Sequence, residues 1–415
     1  MIESSEATQQ RLLTSRFVPL LVAQACSLLG LEILQFVLPL HLLNLTGSGV
    51  IFGGVLAAGF VPYIGLSPIG GMLADRTRKR GVMIACDVLL ALAMACYLVL
   101  SAAGEILISV TVIVLMMAFA AQALHHPCVQ SALPLVVDSQ RVTQAVAVAN
   151  QVSMITGIAG PVIGGFVFGL CSMSFVVALS VAAFALSALL TALFVRIPYE
   201  PPRRTEGILA TARADVREAF EFLRSRSILW QAIITATLVN LFGSSFITVG
   251  IPYMVTETLD FSSQFVAIAQ GALAIGGLMG GAVVAIKPNH FGIAAMPRLL
   301  ALATGGLALI SLVLGIGSSR QASFVAIAVG DLWVMACCTA LSIAVTSYLQ
   351  RETPATLVGK VMAFAMMAAN CATPAGQMAY GVIFDLLPVW VGAALTAIAM
   401  LAIATCLFRV RQRDL

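Results

Sequence analysis

The chain carries little charge. Of its 415 residues only 10% are Asp, Glu, Lys or Arg, while 60% are hydrophobic and the mean hydropathy is +1.03. A soluble globular domain carries about 25% charged residues, so this composition leaves no soluble domain of ordinary size between the apolar runs. The runs are continuous rather than alternating, which indicates membrane helices and not a β-barrel. The sequence predicts an all-α integral membrane protein.

Cysteine pairs and nucleotide-binding loops are also missing. The nine cysteines show no Cys-x-x-Cys spacing, so we expect packing residues rather than disulfides or metal ligands. No Gly-x-x-x-x-Gly-Lys-Ser run is present, which argues against ATP as the energy source. No nucleophile, base and acid form a recognisable set either. We therefore expect no enzyme, no cofactor and no metal.

Twelve apolar stretches reach the length of about 20 residues that a transmembrane helix needs. They lie at about 17–43, 49–73, 81–103, 106–134, 142–170, 173–196, 228–254, 263–286, 297–317, 321–348, 359–385 and 388–409. The predicted organisation is an N-terminal tail 1–16, a six-helix half 17–196, a linker 197–227, a second six-helix half 228–409 and a C-terminal tail 410–415.

Basic residues set the predicted orientation. With both termini inside, all of the 22 Lys and Arg residues except Arg320 fall on the inner side. The positive-inside rule therefore predicts cytoplasmic tails and a cytoplasmic linker, in an inner or plasma membrane. The net charge of +4 is then a ring of bases facing anionic lipid, and it is no argument for nucleic acid.

The linker has a helical period of its own. Apolar residues recur at three- and four-residue steps, and charged residues take the other face. This pattern predicts an amphipathic helix on the inner membrane surface. The apolar positions are Leu209, Ala212, Val216, Phe220 and Leu223.

The two halves repeat. Gly and Pro landmarks recur at nearly one spacing, which predicts a duplicated six-helix unit and two pseudo-symmetric bundles, the plan of many transporters. The pairs are Gly30 and Gly243, Pro39 and Pro252, Pro161 and Pro374, all 213 residues apart, and Gly70-Gly71 and Gly280-Gly281, 210 apart.

Two acids lie deep inside predicted spans. Glu32 is in the first span, where its counterpart in the second half is Ser245, and Asp331 is in the tenth. A charge near the bilayer centre costs roughly 2.5–3.5 kcal/mol on insertion scales, and no base lies inside a span to pair with either acid. Both are therefore candidates for proton coupling or substrate contact, Glu32 before Asp331. Interhelical hydrogen bonding is the alternative for both.

Neutral polar residues share helical faces with these acids. We interpret them as the lining of a cavity, with interhelical hydrogen bonding again the alternative. Gln35 and His41, the latter near the end of the first span, are further candidates for contact with substrate or proton. The neighbours His125 and His126 point apart and suit no joint metal site. The lining candidates are Gln24, Ser27, Gln35, Met335, Thr339, Ser342, Thr346, Asn370, Thr373 and Gln377.

The connection between the second and third spans concentrates charge: five of the six residues from Asp75 to Arg80 are charged. It resembles the cytoplasmic loop between helices two and three of the major facilitator superfamily, although Arg78 stands where that family has Gly. The resemblance implies a conformational latch in which Asp75 sits near the N-terminus of the eleventh span around Gly359. Arg76 and Lys79 would pair with inner acids such as Asp87 or Asp138. The matching residues are Gly71, Asp75, Arg76, Lys79 and Arg80.

The fifth span carries a glycine–proline motif. It resembles the Gly-Pro-x-x-Gly-Gly motif of span five in major facilitator exporters, with Thr156 in place of the upstream glycine. Plain helix packing explains the glycines equally well. The matching residues are Gly160, Pro161, Gly164 and Gly165.

Further stretches are similar to the macrolide-efflux and siderophore-export branch of that superfamily. They include Phe36–Leu40, Leu45–Ser48, Asp87, Arg217–Phe220 and Gly359–Val361. The resemblance implies a secondary transporter that exports a hydrophobic or amphipathic small molecule, such as a drug, macrolide or natural product, in exchange for protons. We expect that substrate, protons and lipid as its partners, and a monomer. An importer, a lipid or siderophore mover, and a membrane sensor or assembly partner that transports nothing are the alternatives.

Overall fold

The computed structural model describes residues 16–102, 108–138, 141–198, 208–287, 290–354 and 357–413, and these are helical apart from short connections. The all-α fold class is confirmed. Residues 1–15 of the predicted N-terminal tail, residues 414–415 of the predicted C-terminal tail and part of the linker lie outside the described residues. The α-helices are α1 Phe17–Thr46, α2 Gly49–Arg76, α3 Lys79–Ala102, α4 Ile108–Val136, α5 Val142–Leu170, α6 Met173–Phe194, α7 Ile208–Arg224, α8 Ser227–Val239, α9 Ser245–Tyr253, α10 Ser263–Ile286, α11 Met296–Gly315, α12 Arg320–Glu352, α13 Val358–Leu386 and α14 Val389–Arg413.

The long helices coincide with the twelve predicted spans. The seventh span is one helical rod, Ser227–Thr258, in which π-helical turns at Asn240–Ser244 and Met254–Thr258 interrupt the α-helix. Eleven helices of the described residues are long and apolar enough to cross a membrane. The remaining predicted span, α13, has 29 residues but is less apolar, because it carries the polar stripe of the eleventh span.

The described residues divide into two compact packing units. One consists of the parts that fall within Met1–Phe36, Gly65–Pro161 and Ser172–Arg204, and the other of those within Val37–Ile64, Val162–Cys171 and Thr205–Leu415. The second unit thus includes one end each of α1, α2 and α5. This division follows packing, whereas the predicted halves follow chain order.

Equivalent contacts in the two units confirm the internal repeat. A Cβ added to Gly70 in α2 would meet the backbone oxygen of Ala123 in α4, and a Cβ added to Gly280 in α10 would meet that of Ala336 in α12. Ala123 and Ala336 are 213 residues apart, close to the spacing of the glycines. Each glycine allows the second and fourth helices of its set to touch backbone to backbone.

A second equivalent pair lies in the first helix of each set. Gly30 in α1 accommodates Phe184 of α6, and Gly243 in the seventh span accommodates Met400 of α14. In both cases the first helix makes room for the sixth. The repeat in the sequence therefore corresponds to a repeated packing scheme.

The linker helix predicted from periodicity is α7. Leu223 is fully buried, and the ring of Phe220 lies edge-on to Trp230 of α8 at 5.4 Å and tilted to Phe364 of α13 at 6.1 Å. Its apolar face therefore packs at least in part on α8 and α13, where the sequence alone suggested lipid.

The charged connection between α2 and α3 is almost entirely helical. Helix α2 continues to Arg76 and α3 begins at Lys79. Arg78 has a negative φ, because Asp260 is the only non-glycine residue with positive φ in the described part of the chain. The turn is therefore built without the glycine that the family has at this position; the backbone N–H of Gly81 bonds the Arg78 oxygen at 2.7 Å.

Candidate functional site

Glu32 lies in the middle of α1 and is half-buried. Helix α5 touches α1 at this point, since a Cβ added at Gly160 would meet the Cβ and backbone of Glu32. The span-five motif and the buried acid, which the sequence left unconnected, are in direct contact. No hydrogen bond or ion pair to the Glu32 carboxylate is present among the described residues.

The second half has a neutral version of the same contact. Ser245, the counterpart of Glu32, donates a hydrogen bond of 3.1 Å to the backbone oxygen of Thr373, the counterpart of Gly160. Gly376 in α13 also packs against Ser245. The π-helical turn Asn240–Ser244 ends one residue before Ser245, and such turns are frequent at functional sites. The geometry is repeated in the two halves, but the acid is present in one alone.

The polar neighbours of Glu32 on α1 bind other helices. Gln24 is buried and its Nε2 donates to Ser153 Oγ of α5 at 3.2 Å, while its Oε1 has no partner within the described residues. Gln35 Nε2 donates to Gln122 Oε1 of α4 at 3.1 Å. Both predicted lining residues therefore make interhelical hydrogen bonds in this structure.

Asp331 is wholly enclosed. It is 0% exposed, and neither carboxylate oxygen has a hydrogen-bond partner in the described part of the chain. Glycines bring the neighbouring helices against α12 here, because Gly276 of α10 packs on Leu332 and Gly330 packs on Ile310 of α11. The interpretation of Asp331 as facing an open cavity is therefore wrong for this structure. A carboxyl group without partners in such surroundings is cheapest in its neutral form.

The remaining lining candidates of the second half differ in exposure. Thr339 is half-buried against Gly277 of α10, together with Met335. Ser342 is exposed, whereas Thr346 and Asn370 are half-buried. Gln377 of α13 is 2% exposed and its Oε1 has no partner among the described residues, so it offers an unused acceptor.

One end of α13 packs tightly on the beginning of α2. Gly49 and Gly53 allow this, since an added Cβ on either would meet the backbone of α13, at Gly381 and Gln377 respectively. Asp385 then accepts hydrogen bonds from the backbone N–H groups of Gly49 and Val50 at 2.5 and 3.0 Å, and from Ser48 Oγ at 2.8 Å. Helix N-termini attract anions, so this acid fastens α13 to α2.

His41 lies near the C-terminal end of α1. It is half-buried, its ring is edge-on to Phe168 of α5 at 5.6 Å, and its Nε2 is buried without a partner among the described residues. Its unpaired nitrogen keeps it a candidate for binding a proton or a polar group.

Asp87 was expected to pair with the charged connection, and this is wrong. Asp87 is 0% exposed, and it is bonded to Ser27 of α1 and Ser187 of α6, with His125 of α4 at 3.7 Å. Asp138, the other proposed partner, is exposed and has no ion pair in the described chain. Asp87 lies about 12 Å along α3 from Lys79, too deep for those bases.

The charged connection has other contacts. Arg80 donates to the backbone oxygens of Thr191, at 3.2 Å, and Ala192, at the C-terminal end of α6. Unpaired carbonyls at a helix C-terminus favour such a base. Gly70 packs on α4, whereas nothing lies within 4 Å of a Cβ added at Gly71. The side chain of Asp75, and with it the latch, lies outside what the structure describes.

The span-five motif is closely packed. Gly164 and Gly165 are buried, and α5 runs through Pro161 without a break. Gly157, which follows Thr156, has nothing within 4 Å of an added Cβ. The glycines that match the exporter motif are therefore packed against neighbouring residues, whereas Gly157, outside the motif, is not.

Sequence reasoning missed two groups of residues. Asp385 lies at the end of the predicted eleventh span, where an acid is ordinary, and only its partners at the beginning of α2 give it significance. The sequence offers His125 only as a neighbour of His126, and nothing in it indicates the contact with Asp87. No local signal could have found either, because each partnership joins segments at least 38 residues apart in the chain.

The structure combines membrane-spanning helices, a repeated packing scheme and acids at membrane depth that have no partner among the described residues. Together these features define a multi-pass integral membrane protein with the construction of a secondary transporter. The family model of the Major Facilitator Superfamily matches residues 20–377, and the chain belongs to that family of transporters.

Individual relatives are distant. Macrolide efflux protein A of Streptococcus pyogenes is 24% identical over 275 residues, which cover 66% of this chain and 67% of the relative. Among solved structures, a point mutant of the nucleoside transporter NupG has a TM-score of 0.73 at 12% identity and covers 95% of this chain and 99% of its own. A D-xylose-proton symporter has a TM-score of 0.65 at 14% identity and covers 93% and 96%. These likenesses show the fold.

Proposed function

We propose that this transporter exports a hydrophobic or amphipathic small molecule in exchange for protons. The similarity to macrolide efflux protein A supports export and a macrolide-like substrate. The Gly160-Pro161 motif supports the same direction, because it resembles that of major facilitator exporters. A proton-coupled symporter has the same fold, which supports protons as the driving ion and leaves import as the alternative direction.

One observation carries the proposal: Glu32 is a half-buried acid with no partner in the described part of the chain, at the point where α1 contacts the exporter motif. A charge there is costly unless it is protonated or faces water. Glu32 therefore holds a proton when its surroundings are dry and releases it when they are wet. A change in the contact between α1 and α5 alters both conditions, which couples the proton to conformation.

Other candidates take supporting roles in this proposal. Asp331 is a second protonatable group, or a contact for cationic substrates once α10–α12 loosen around it. Gln377, Asn370 and His41 supply polar contacts for substrate or proton. The charged connection acts as a latch on the cytoplasmic side, as its resemblance to the loop of the major facilitator superfamily implies. The protein resides in the inner or plasma membrane with both termini in the cytoplasm and acts as a monomer.

The test is transport in everted membrane vesicles, with a substrate panel that includes a macrolide. We expect a proton gradient to drive accumulation in the vesicles and a protonophore to abolish it. Glu32→Gln imitates the protonated acid, so it should abolish gradient-driven accumulation yet preserve substrate counterflow.

The matched control is Asp260→Asn. Asp260 is an exposed acid in an exposed ion pair with Arg320 at 3.3 Å, and its φ of 53° suits Asn as well as Asp. This variant should transport like the wild type. If the Glu32→Gln protein still accumulates substrate against a gradient, Glu32 is not the coupling site; if substrate moves only outward from everted vesicles, the protein is an importer.

A further inference from the structure

Asp87 is the centre of a buried polar cluster that the proposed function does not use. The carboxylate is 0% exposed and joins three other helices of its packing unit. Ser27 Oγ of α1 lies 2.7 Å from Oδ1, Ser187 Oγ of α6 lies 2.6 Å from Oδ2, and His125 Nε2 of α4 lies 3.7 Å from Oδ2. An acid this deep is expensive if it serves packing alone.

The hydrogen bonds of the cluster can be satisfied in two protonation states of Asp87. Ser187 Oγ is within hydrogen-bond distance of both Asp87 Oδ2 and the backbone oxygen of Ala23, at 2.9 Å, but a hydroxyl has one proton to donate. If Asp87 is ionised, Ser187 donates to it. If Asp87 is protonated, its own O–H donates to Ser187, whose hydroxyl then turns to Ala23. The carboxyl group can therefore gain or lose a proton while its heavy atoms stay in place.

His125 completes the cluster across a small cavity. Its Nε2 and the Oε1 of Gln24 are both buried without partners in the described residues, and both residues line one cavity of about 20 Å³. That volume accommodates about one water molecule, which needs polar partners of this kind. Gln122 lines the same cavity and accepts the hydrogen bond of Gln35, one turn from Glu32 on α1. Polar side chains therefore extend from this cavity to within about one helical turn of Glu32.

We propose that Asp87 and His125 form a proton-binding site within the first packing unit, in addition to Glu32. The other titratable groups around it are neutral thiols and one imidazole: Cys26 on α1, Cys86 on α3, and Cys128 and His126 on α4. The described ion pairs give Asp87 no Lys or Arg partner, so the imidazole of His125 is the basic group that faces it. The ligand is a proton delivered through water. The use of this proton in transport rests on the proposed function, whereas its binding does not.

Infrared spectroscopy of the purified full-length protein in detergent tests the binding directly. A protonated carboxylic acid has a carbonyl-stretch band that disappears on ionisation. Asp331 and other carboxyl groups contribute bands of their own, so the Asp87 component is identified as the difference between the wild type and Asp87→Asn. We expect this component to titrate with pH in the wild type, in Glu32→Gln and in Asp260→Asn. His125→Gln should displace its midpoint by roughly one pH unit, a tenfold change in proton affinity. Thermal melting checks that each variant is folded.

Two further variants keep the proposal testable even if one variant fails to fold. If Asp87→Asn does not fold, Ser187→Ala and His125→Gln retain the acid and should still move the midpoint. Identical titrations in all folded variants would overturn the proposal. A band that belongs to Asp87 but no proton-driven transport would overturn the proposed function and leave this site standing; proton-driven transport with no Asp87 band would do the opposite.

Discussion

Removal of the Asp385 carboxylate should release α13 from the beginning of α2. This acid accepts three hydrogen bonds, from Gly49 N, Val50 N and Ser48 Oγ, at 2.5 to 3.0 Å. The backbones of the two helices are in close contact at Gly49, Gly53 and Gly381. Under the proposed coupling of proton and conformation, we expect this contact to stabilise the conformation seen here and to break in the other.

The expected magnitude follows from the kinds of bond. Removal of a side-chain acceptor at a helix N-terminus costs about 1 kcal/mol, and the loss of a negative charge there adds about 0.3–1 kcal/mol. Asp385 is an exposed residue, so the larger values for buried charged hydrogen bonds do not apply. The total of about 1–2 kcal/mol corresponds to a shift of roughly 5- to 30-fold in a two-state equilibrium. We expect Asp385→Ala to shift the equilibrium by this whole factor. Asp385→Asn should shift it less, because an amide oxygen still accepts a hydrogen bond.

The assay is a distance measurement between spin labels at the exposed positions Val61 in α2 and Leu386 in α13. Labels carried by a ketone-bearing amino acid leave the nine free cysteines untouched. We expect Asp385→Ala to increase the longer-distance population by the factor above, and Asp260→Asn to leave it unchanged. If Asp385→Ala gives the wild-type distribution and normal transport, the acid does not hold the two helices together.

Two other substitutions test the packing around the acids. Gly160→Ala brings a methyl group against the Cβ and backbone of Glu32. It should therefore separate α5 from α1 at a cost of about 1–3 kcal/mol and abolish efflux. The matched control is Gly157→Ala, whose added methyl group meets nothing within 4 Å, and this variant should transport normally. Equal activity of the two variants in vesicles would contradict the contact. Asp331→Asn removes a buried group that is cheapest when neutral, so the melting temperature should not fall. It should reduce efflux of cationic substrates more than of neutral ones, and a lower melting temperature with equal losses for both would show that Asp331 is structural.

Most of the fold could be predicted from the sequence, because a bilayer leaves few choices. Backbone groups in hydrocarbon must be bonded within the segment, so each long apolar run corresponds to one helix, including α13 with its polar stripe. The repeat was predictable as well, because backbone contact between two helices requires a residue without a side chain. Gly70 and Gly280 are the residues that allow such contact in the two sets of helices. The amphipathic period of α7 predicted that helix, but not that α8 and α13 cover part of its apolar face.

The candidate site was predictable only in part. Composition and periodicity identified Glu32 and Asp331 as acids at membrane depth, because a charge there is rare and expensive. Which helix faces each acid is a property of packing between distant segments, and a sequence pattern reports one helix at a time. Tertiary structure alone therefore decided that Glu32 rests on Gly160, that α10 and α11 enclose Asp331, and that Asp87 turns away from the basic connection toward Ser27, Ser187 and His125. The sequence determined the helices and the depth of their charges, since each helix satisfies its own backbone, whereas the partners of those charges depend on how separate helices meet.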